Sequence, residues 1–235
     1  MATSPQLVVG VLGGMGPEAT IDFMAEVLAA TPATEDQDHL RLLVDQNPQL
    51  PSRQLALAGA GESPGPQLAA MAQGLEQGGA DFLVMPCNTA HAYRDDIVAA
   101  TSIPLVSIID ETVAECGGLA SIGLLATVGC LNAGVFQAAF AATGQSLILP
   151  TAGELEEFTR LVAAIKIGNR TDELRMAMQR LADALVGRGA QAIVAGCTEI
   201  PLVLDESMLD VPLISSTAAL AKSTVAIALG NRSLG

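Results

Sequence analysis

An internal repeat constrains the fold of this chain more than any other feature of its sequence. Three pairs of segments match in the same order: 79–89 with 189–198, 103–107 with 211–215, and 9–13 with 122–126. The offsets between them are 110, 108 and 113 residues. One match between aliphatic segments could arise by chance, but three in order, each placing an equivalent turn, predict two structurally related halves.

Within each half, short apolar strands alternate with helices. The sequence predicts strands over 7–13, 40–45, 81–85, 119–125 and 192–195. It predicts helices over 17–30, 67–78, 133–142, 154–166 and 171–187. The segment 46–66, rich in Pro, Gly and Ser, is expected to be a loop with one short helix. Such alternation is typical of βαβ units, so the predicted fold class is α/β, with two parallel sheets flanked by helices.

Composition and charge exclude several classes of partner. The 235 residues are 50% apolar but only 3% aromatic, which predicts an aliphatic core. The net charge is −14, and the 11 Lys and Arg residues are scattered along the chain. Because polyanion binding needs clustered basic residues, neither nucleic acid nor an anionic membrane surface is an expected partner. No segment has the pattern of a signal peptide or a membrane span, so the expected location is the cytoplasm.

Two of the four cysteines stand at matched positions of the repeat. Cys87 and Cys197 each follow a buried strand and precede a predicted helix. Ligands bind at this edge of open α/β sheets, and a helix N-terminus favours the thiolate form of a cysteine. Cys116 and Cys130 lack repeat partners and are predicted to be structural. The wide spacing, without a CxxC pair, predicts free thiols and no metal site.

Two thiols that face each other across a cleft between the halves would suit racemisation. One thiolate would remove the Cα proton of an amino acid, and the opposite thiol would return a proton to the other face. Without pyridoxal phosphate, the carbanion must be stabilised by electrostatics around the carboxylate. Four side chains at the strand-end turns could supply it: Asn88, Thr89, Thr127 and Thr198. Arg53 and Lys166 could clamp a second carboxylate, although solvated surface charges are the commoner role of such residues.

Other interpretations of these residues stay open at this point. A cysteine at a strand end is commonly just a small buried apolar residue, and a disulfide between Cys87 and Cys197 would require the two to be adjacent. The segment 14–19 loosely fits a dinucleotide fingerprint, but Pro17 lacks the N–H that would help to hold a pyrophosphate. His91 is interpreted as a packing residue. A non-catalytic protein that binds a dicarboxylate is the alternative from another functional class.

The chain resembles the aspartate/glutamate racemase family, specifically its aspartate racemase branch, over nearly its whole length. The resemblance rests on segments 10–20, 31–33, 36–39, 47–51, 85–91, 124–127 and 196–199. The two cysteine motifs, MPCNTAH and GCTE, are together highly specific. The resemblance implies interconversion of L- and D-aspartate by Cys87 and Cys197 as acid and base, without a cofactor. Glutamate or broad-specificity racemisation, hydantoin racemisation and maleate isomerisation are the alternatives within the superfamily.

The resemblance also implies substrate contacts and an architecture. Arg53 and Lys166 would hold the side-chain carboxylate. The remaining implied contacts with substrate are Met15, Asn47, Asn88, Thr89, Thr127, Thr198 and Glu199. Glutamate racemases tend to carry His where this chain has Glu199, which favours aspartate.

The implied first domain comprises 1–104 plus 214–235 and the second 105–213, with the active site in the cleft between them. A C-terminal helix over about 215–230 would return to the first domain, and a homodimer is expected. Five positions depart from residues common in the family and leave the fine substrate preference open: Gln46, Val128, Cys130 and the pair Ser215-Ser216.

Overall fold

The computed structural model describes residues 6–234. They form two compact units. The first unit runs to Ile108 and resumes at Thr217, and the second unit is Ile109–Ser216. Each unit contains one four-stranded sheet in which all strands are parallel. The predicted fold class, two parallel sheets flanked by helices, is therefore confirmed.

The first unit contains four strands, which form one sheet, and the helices that connect them. Its strands are β1 (Val9–Gly13), β2 (Leu42–Gln46), β3 (Phe82–Val84) and β4 (Leu105–Val106). Its helices, apart from the last one of the chain, are α1 (Pro17–Ala30), α2 (Arg53–Leu57), α3 (Gly65–Gln77) and α4 (Arg94–Ala100). The strand order is β2-β1-β3-β4. The chain adds β2 on one side of β1 and β3 on the other side. The turns after β1 and β3 therefore flank the topological switch point, where such sheets bind ligands.

The second unit has the same strand order, β6-β5-β7-β8. Its strands are β5 (Ser121–Leu125), β6 (Ser146–Ile148), β7 (Ala192–Ala195) and β8 (Leu213–Ser215). Its helices are α5 (Ile108–Glu115), α6 (Val128–Ala133), α7 (Val135–Ala142), α8 (Ala152–Lys166) and α9 (Asp172–Gly187). The final helix, α10 (Ser216–Ala228), belongs to the first unit from Thr217 onward. The switch point of this sheet lies between β5 and β7.

Packing around two equivalent glycines confirms the internal repeat. A Cβ atom built on Gly10 would lie 2.8 Å from Leu83 Cδ2 and 2.9 Å from the Ala80 Cβ. A Cβ built on Gly123 would lie 2.6 Å from Ile193 Cδ1 and 3.1 Å from the Ala190 Cβ. In both units a helix and the adjacent strand therefore press against a glycine in the first strand of the sheet.

The helices of the second unit differ from the prediction at two places. The helix predicted over 133–142 corresponds to α7, but the preceding α6 is not predicted from the sequence; Gly134, with φ of +69°, separates the two helices. The α-helix expected after Cys197 is replaced by a three-residue 3-10 helix, Ile200–Leu202. The helix predicted after Cys87 likewise begins as a 3-10 helix, Thr89–Tyr93, before α4. Among residues 6–234, no helix is long and apolar enough to span a membrane.

Candidate active site

Cys87 lies just beyond the carboxyl end of β3. Its side chain is 6% exposed and borders the aliphatic core of the first unit. Its backbone N–H donates to the carbonyl of Met85 at 2.8 Å, which makes a tight turn at the edge of the sheet. The two residues that follow, Asn88 and Thr89, are also buried. The turn therefore brings together one thiol, one amide and one hydroxyl, all buried from solvent.

His91 fixes the conformation of this turn. Its Nδ1 lies 2.9 Å from the carbonyl oxygen of Cys87, and its Nε2 accepts a hydrogen bond from the backbone N–H of Ile108 at 3.2 Å. Because Nε2 accepts, the proton of the neutral ring sits on Nδ1 and is donated to the Cys87 carbonyl. The ring is buried, with 5% exposed. His91 thus links the turns that follow β3 and β4.

The turns after β1 and β2 hold other predicted site residues of the first unit. Met15 is buried in the turn after β1. Asn47 follows β2, and its backbone N–H donates to the carbonyl of Gly13 at 3.3 Å, so the two turns are joined. Its side-chain oxygen accepts from the backbone N–H of Gln49 at 3.0 Å. These residues share one edge of the sheet with Cys87.

Arg53, the first residue of α2, is tethered to its own loop. One guanidinium nitrogen, Nη1, donates to the carbonyl oxygens of Leu50 at 3.3 Å and Pro51 at 2.9 Å. The side chain is half-buried. These bonds hold the cation in place and use only part of its five-donor fork.

In the second unit, sheet register places two predicted site residues side by side. Leu125 of β5 pairs with Ala195 of β7, and Thr127 and Cys197 each follow two residues later. Thr127 caps α6, because its hydroxyl accepts from the backbone N–H of Cys130 at 3.4 Å. The second unit therefore repeats the pattern of the first, with a thiol beside the switch point.

Cys197 has a carboxylate partner. Its thiol donates to Oε2 of Glu199 at 2.9 Å, and the Thr198 hydroxyl lies 3.4 Å from the same oxygen. The other carboxylate oxygen, Oε1, is paired with the Nζ of Lys166 at the end of α8. Cys197 is 6% and Glu199 4% exposed, whereas 42% of the Lys166 side chain is exposed. Four predicted site residues thus form one contiguous network.

The thiol of Cys197 does not lie in a thiolate-favouring environment in this structure. Burial raises its pKa well above the usual range, and the negative charge of Glu199 raises it further. The nearby Lys166 ammonium lowers the pKa by a smaller amount. The expectation that a helix N-terminus would favour the Cys197 thiolate is therefore wrong, because only a short 3-10 helix follows and a carboxylate lies beside the sulfur.

The contact between Cys197 and Glu199 is the main site feature that the sequence analysis missed. The resemblance to the racemase family implies that Glu199 contacts the substrate and that Lys166 binds the side-chain carboxylate of the substrate. In the structure the two side chains bind each other. The spacing Cys-x-Glu in a turn is the signal that could have indicated the pair, since residues two apart in a turn can contact each other.

The other two cysteines, Cys116 and Cys130, are completely buried. The Cys116 thiol donates to the carbonyl of Thr112 at 3.3 Å, and burial raises its pKa to about 12. Cys130 is fully buried under the Thr127 cap. All four cysteines are free thiols.

Comparison with known proteins identifies the family. The profile of the Asp/Glu/Hydantoin racemase family matches residues 12–224. The chain belongs to this racemase family. Its relatives include the broad specificity amino-acid racemase RacX of Bacillus subtilis, which is 30% identical over 96% of this chain and 100% of the relative.

Solved structures of racemases share the architecture of this family member. An aspartate racemase from Picrophilus torridus is 27% identical, with a TM-score of 0.82 and 94% of each chain covered. The Francisella tularensis glutamate racemase, solved with D-glutamate, has a TM-score of 0.70 over 96% of this chain and 82% of its own. At 19% identity, the second likeness supports the fold alone.

Proposed function

We propose that this racemase interconverts L- and D-aspartate without a cofactor, with Cys87 and Cys197 as its two acid/base groups. The observation that carries the proposal is the matched placement of one buried thiol beside the switch point of each repeated sheet. Similarity to a broad specificity amino-acid racemase and to an aspartate racemase supports the choice of substrate class.

In the proposed reaction, the two thiols act on opposite faces of the substrate Cα. One thiolate takes the proton, so that the Cα–H bond breaks, an S–H bond forms and the electron pair stays on the substrate. The second thiol then gives its proton to the other face of Cα and becomes the thiolate. Hydrogen-bond donors around the α-carboxylate stabilise the intermediate charge. We assign this role to four residues: Asn88, Thr89, Thr127 and Thr198.

A dicarboxylic substrate is proposed because we assign two cations, Arg53 and Lys166, to its side-chain carboxylate. Arg53 is held by its loop with donors left for a carboxylate, and Lys166, which also pairs with Glu199, is a partly exposed ammonium with three donors. Met15 and Asn47 complete the proposed substrate contacts. Aspartate and glutamate differ by one methylene, which is worth only about 1–3 kcal/mol in a pocket. We therefore expect aspartate to be preferred and glutamate to be converted more slowly.

The proposal is tested by chiral chromatography of L- and D-amino acids incubated with the purified protein. The panel includes aspartate, glutamate, neutral amino acids, a 5-substituted hydantoin and maleate. In deuterium oxide, the product enantiomer of a two-base racemase carries solvent deuterium at Cα. Turnover of the hydantoin or maleate alone, without amino-acid racemisation, would contradict the proposal.

Cysteine variants test the assignment of the two thiols. Cys87→Ser and Cys197→Ser should each lower racemisation by about 10²–10⁴-fold, the range expected for loss of an acid/base group. Cys116→Ser is the matched control, because a hydroxyl can replace the thiol as donor to Thr112. Full activity of either site variant would show that its thiol does not take part.

A further inference from the structure

We propose that Glu199 is the proton acceptor and donor for Cys197, so that the two side chains act as one acid/base dyad. This inference rests on the proposed function, in which Cys197 alternates between thiol and thiolate. In this proposal Glu199 acts through Cys197 instead of contacting substrate, which makes it a positioning residue for the thiol proton.

The geometry of the contact suits direct proton transfer. The Cys197 sulfur and Oε2 of Glu199 are 2.9 Å apart, and both side chains are almost completely buried. The second oxygen of the carboxylate, Oε1, is paired with the ammonium of Lys166. Oε2 thus faces the thiol, while the ion pair between Oε1 and Lys166 holds the carboxylate so that Oε2 stays within hydrogen-bond distance of the sulfur.

Charge conservation explains what the dyad would contribute. Creating a thiolate in a buried site is costly when the proton must leave for solvent. In the dyad, the S–H bond of Cys197 breaks, an O–H bond forms on Oε2 and the electron pair stays on sulfur. The site keeps the same net charge, because the negative charge moves only from the carboxylate to the adjacent sulfur. When Cys197 is next required as an acid, the same proton returns along the same path.

The residue two positions after the thiol differs between the two units. The offset of 110 residues equates Cys87 with Cys197 and Thr89 with Glu199. Cys87 therefore has a hydroxyl residue where Cys197 has a carboxylate. The two thiols are predicted to gain and lose protons by different routes, although they perform the same step on opposite faces of the substrate.

Glu199→Gln provides the first test. Glutamine keeps the length and a hydrogen-bond acceptor but cannot take up the proton. We expect kcat/KM to fall by about 10²–10⁴-fold, the range for loss of general acid/base assistance. The fall must be equal for L- and D-aspartate, because the enantiomers have equal free energies. Glu199→Asp, which keeps a carboxylate at a longer distance, should restore part of the loss. A Glu199→Gln enzyme within threefold of wild type would overturn the proposal.

The rate of thiol alkylation provides a second test that does not depend on turnover. The charged groups that act on the Cys197 sulfur are Glu199 and Lys166. Iodoacetamide labelling of Cys197 at about pH 7, followed by peptide mass spectrometry, should be faster in wild type than in Glu199→Gln, because the carboxylate of the dyad takes up the thiol proton as the sulfur attacks. A carboxylate that acts only through its charge would give the opposite order, since its removal would lower the pKa of the thiol.

The two tests separate failure of the dyad from failure of the proposed function. Cys87, with the same 6% exposure, is the internal reference for labelling and should behave alike in both proteins. Active wild type whose Cys197 is labelled no faster than in Glu199→Gln would overturn the dyad and leave racemisation standing. Inactive wild type would overturn the proposed function, and the labelling rates alone would then decide whether Glu199 takes up the proton of Cys197.

Discussion

At the residue scale, the two thiol turns are held by different means. His91 connects the Cys87 turn to the backbone of Ile108, whereas the Cys197 turn is tied to Lys166 through Glu199. The first connection uses a neutral ring and backbone groups, and the second uses charges. The stability of the first turn should therefore depend on the ring of His91.

His91→Ala is expected to lower the free energy of unfolding by about 2–4 kcal/mol, because it leaves a buried carbonyl and a buried N–H without their partner. Urea unfolding followed by circular dichroism measures the change. His39→Ala is the control: that ring is partly exposed, and within residues 6–234 its Nδ1 has no hydrogen-bond partner, so a smaller loss is expected. Equal losses in the two variants would show that the bridge to Ile108 adds nothing.

At the element scale, helix α1 carries three acidic side chains spaced four residues apart. Burial, and to a lesser extent the charges of Glu26 and Glu18, together raise the pKa of Asp22 from 3.8 to about 6. Because the folded-state pKa is above the unfolded value, ionised Asp22 destabilises the fold at pH above about 6. The destabilisation fades as the pH falls through 6 towards 4, where the carboxyl is neutral in both states.

Asp22→Asn should therefore stabilise the protein at pH 8 by about 1 kcal/mol, a figure reduced for partial solvent screening. At pH 4 the variant and wild type should differ little. Urea midpoints at the two pH values provide the measurement. Asp183→Asn, at an exposed position in α9, is the matched control for the loss of one carboxylate from a helix surface. A gain for Asp22→Asn that is the same at pH 4 and pH 8 would contradict the electrostatic explanation.

The packing of β1 and β5 against neighbouring helices gives another prediction at this scale. Gly10→Ala and Gly123→Ala should each destabilise their unit by about 1–3 kcal/mol, since the new methyl would overlap Leu83 or Ile193. Thermal unfolding would measure both. Gly153→Ala in α8, where a Cβ meets no atom within 4 Å, should instead stabilise by about 0.5–1 kcal/mol. Stable Gly10 and Gly123 variants would show that the close approach is easily relieved.

At the scale of the whole molecule, an apolar stripe on α1 supports the expected homodimer. Ile21, Met24 and Leu28 are 59%, 38% and 57% exposed, and their spacing places them on one helix face. We propose that a second copy of the chain covers this face. Ile21→Lys with Leu28→Lys should convert a dimer into a monomer in light scattering. Ile167→Lys, at an isolated position 86% exposed, should leave the molar mass unchanged.

The sequence was sufficient to place the thiols but not to describe their surroundings. Buried aliphatic runs that end at Cys87 and Cys197 are visible in the repeat, and they predict the strand ends and the fold class correctly. The Glu199 contact depends on side-chain rotamers within a turn, which no periodicity encodes. The missed strand β6 is only three residues long and partly exposed, so its pattern was too short to recognise. Helix α6 was also missed, because its six residues are too few to show a helical period.

The return of α10 to the first unit has a consequence for synthesis of the protein. The backbone N–H of Leu7 donates to the carbonyl of Ala228 at 3.0 Å, so residues from distant parts of the chain join in one unit. The second unit is one continuous segment, Ile109–Ser216. A ribosome therefore delivers every residue of the second unit before it delivers the last helix of the first. During translation, the unit that carries Cys197 can be complete while the unit that carries Cys87 still awaits its final helix.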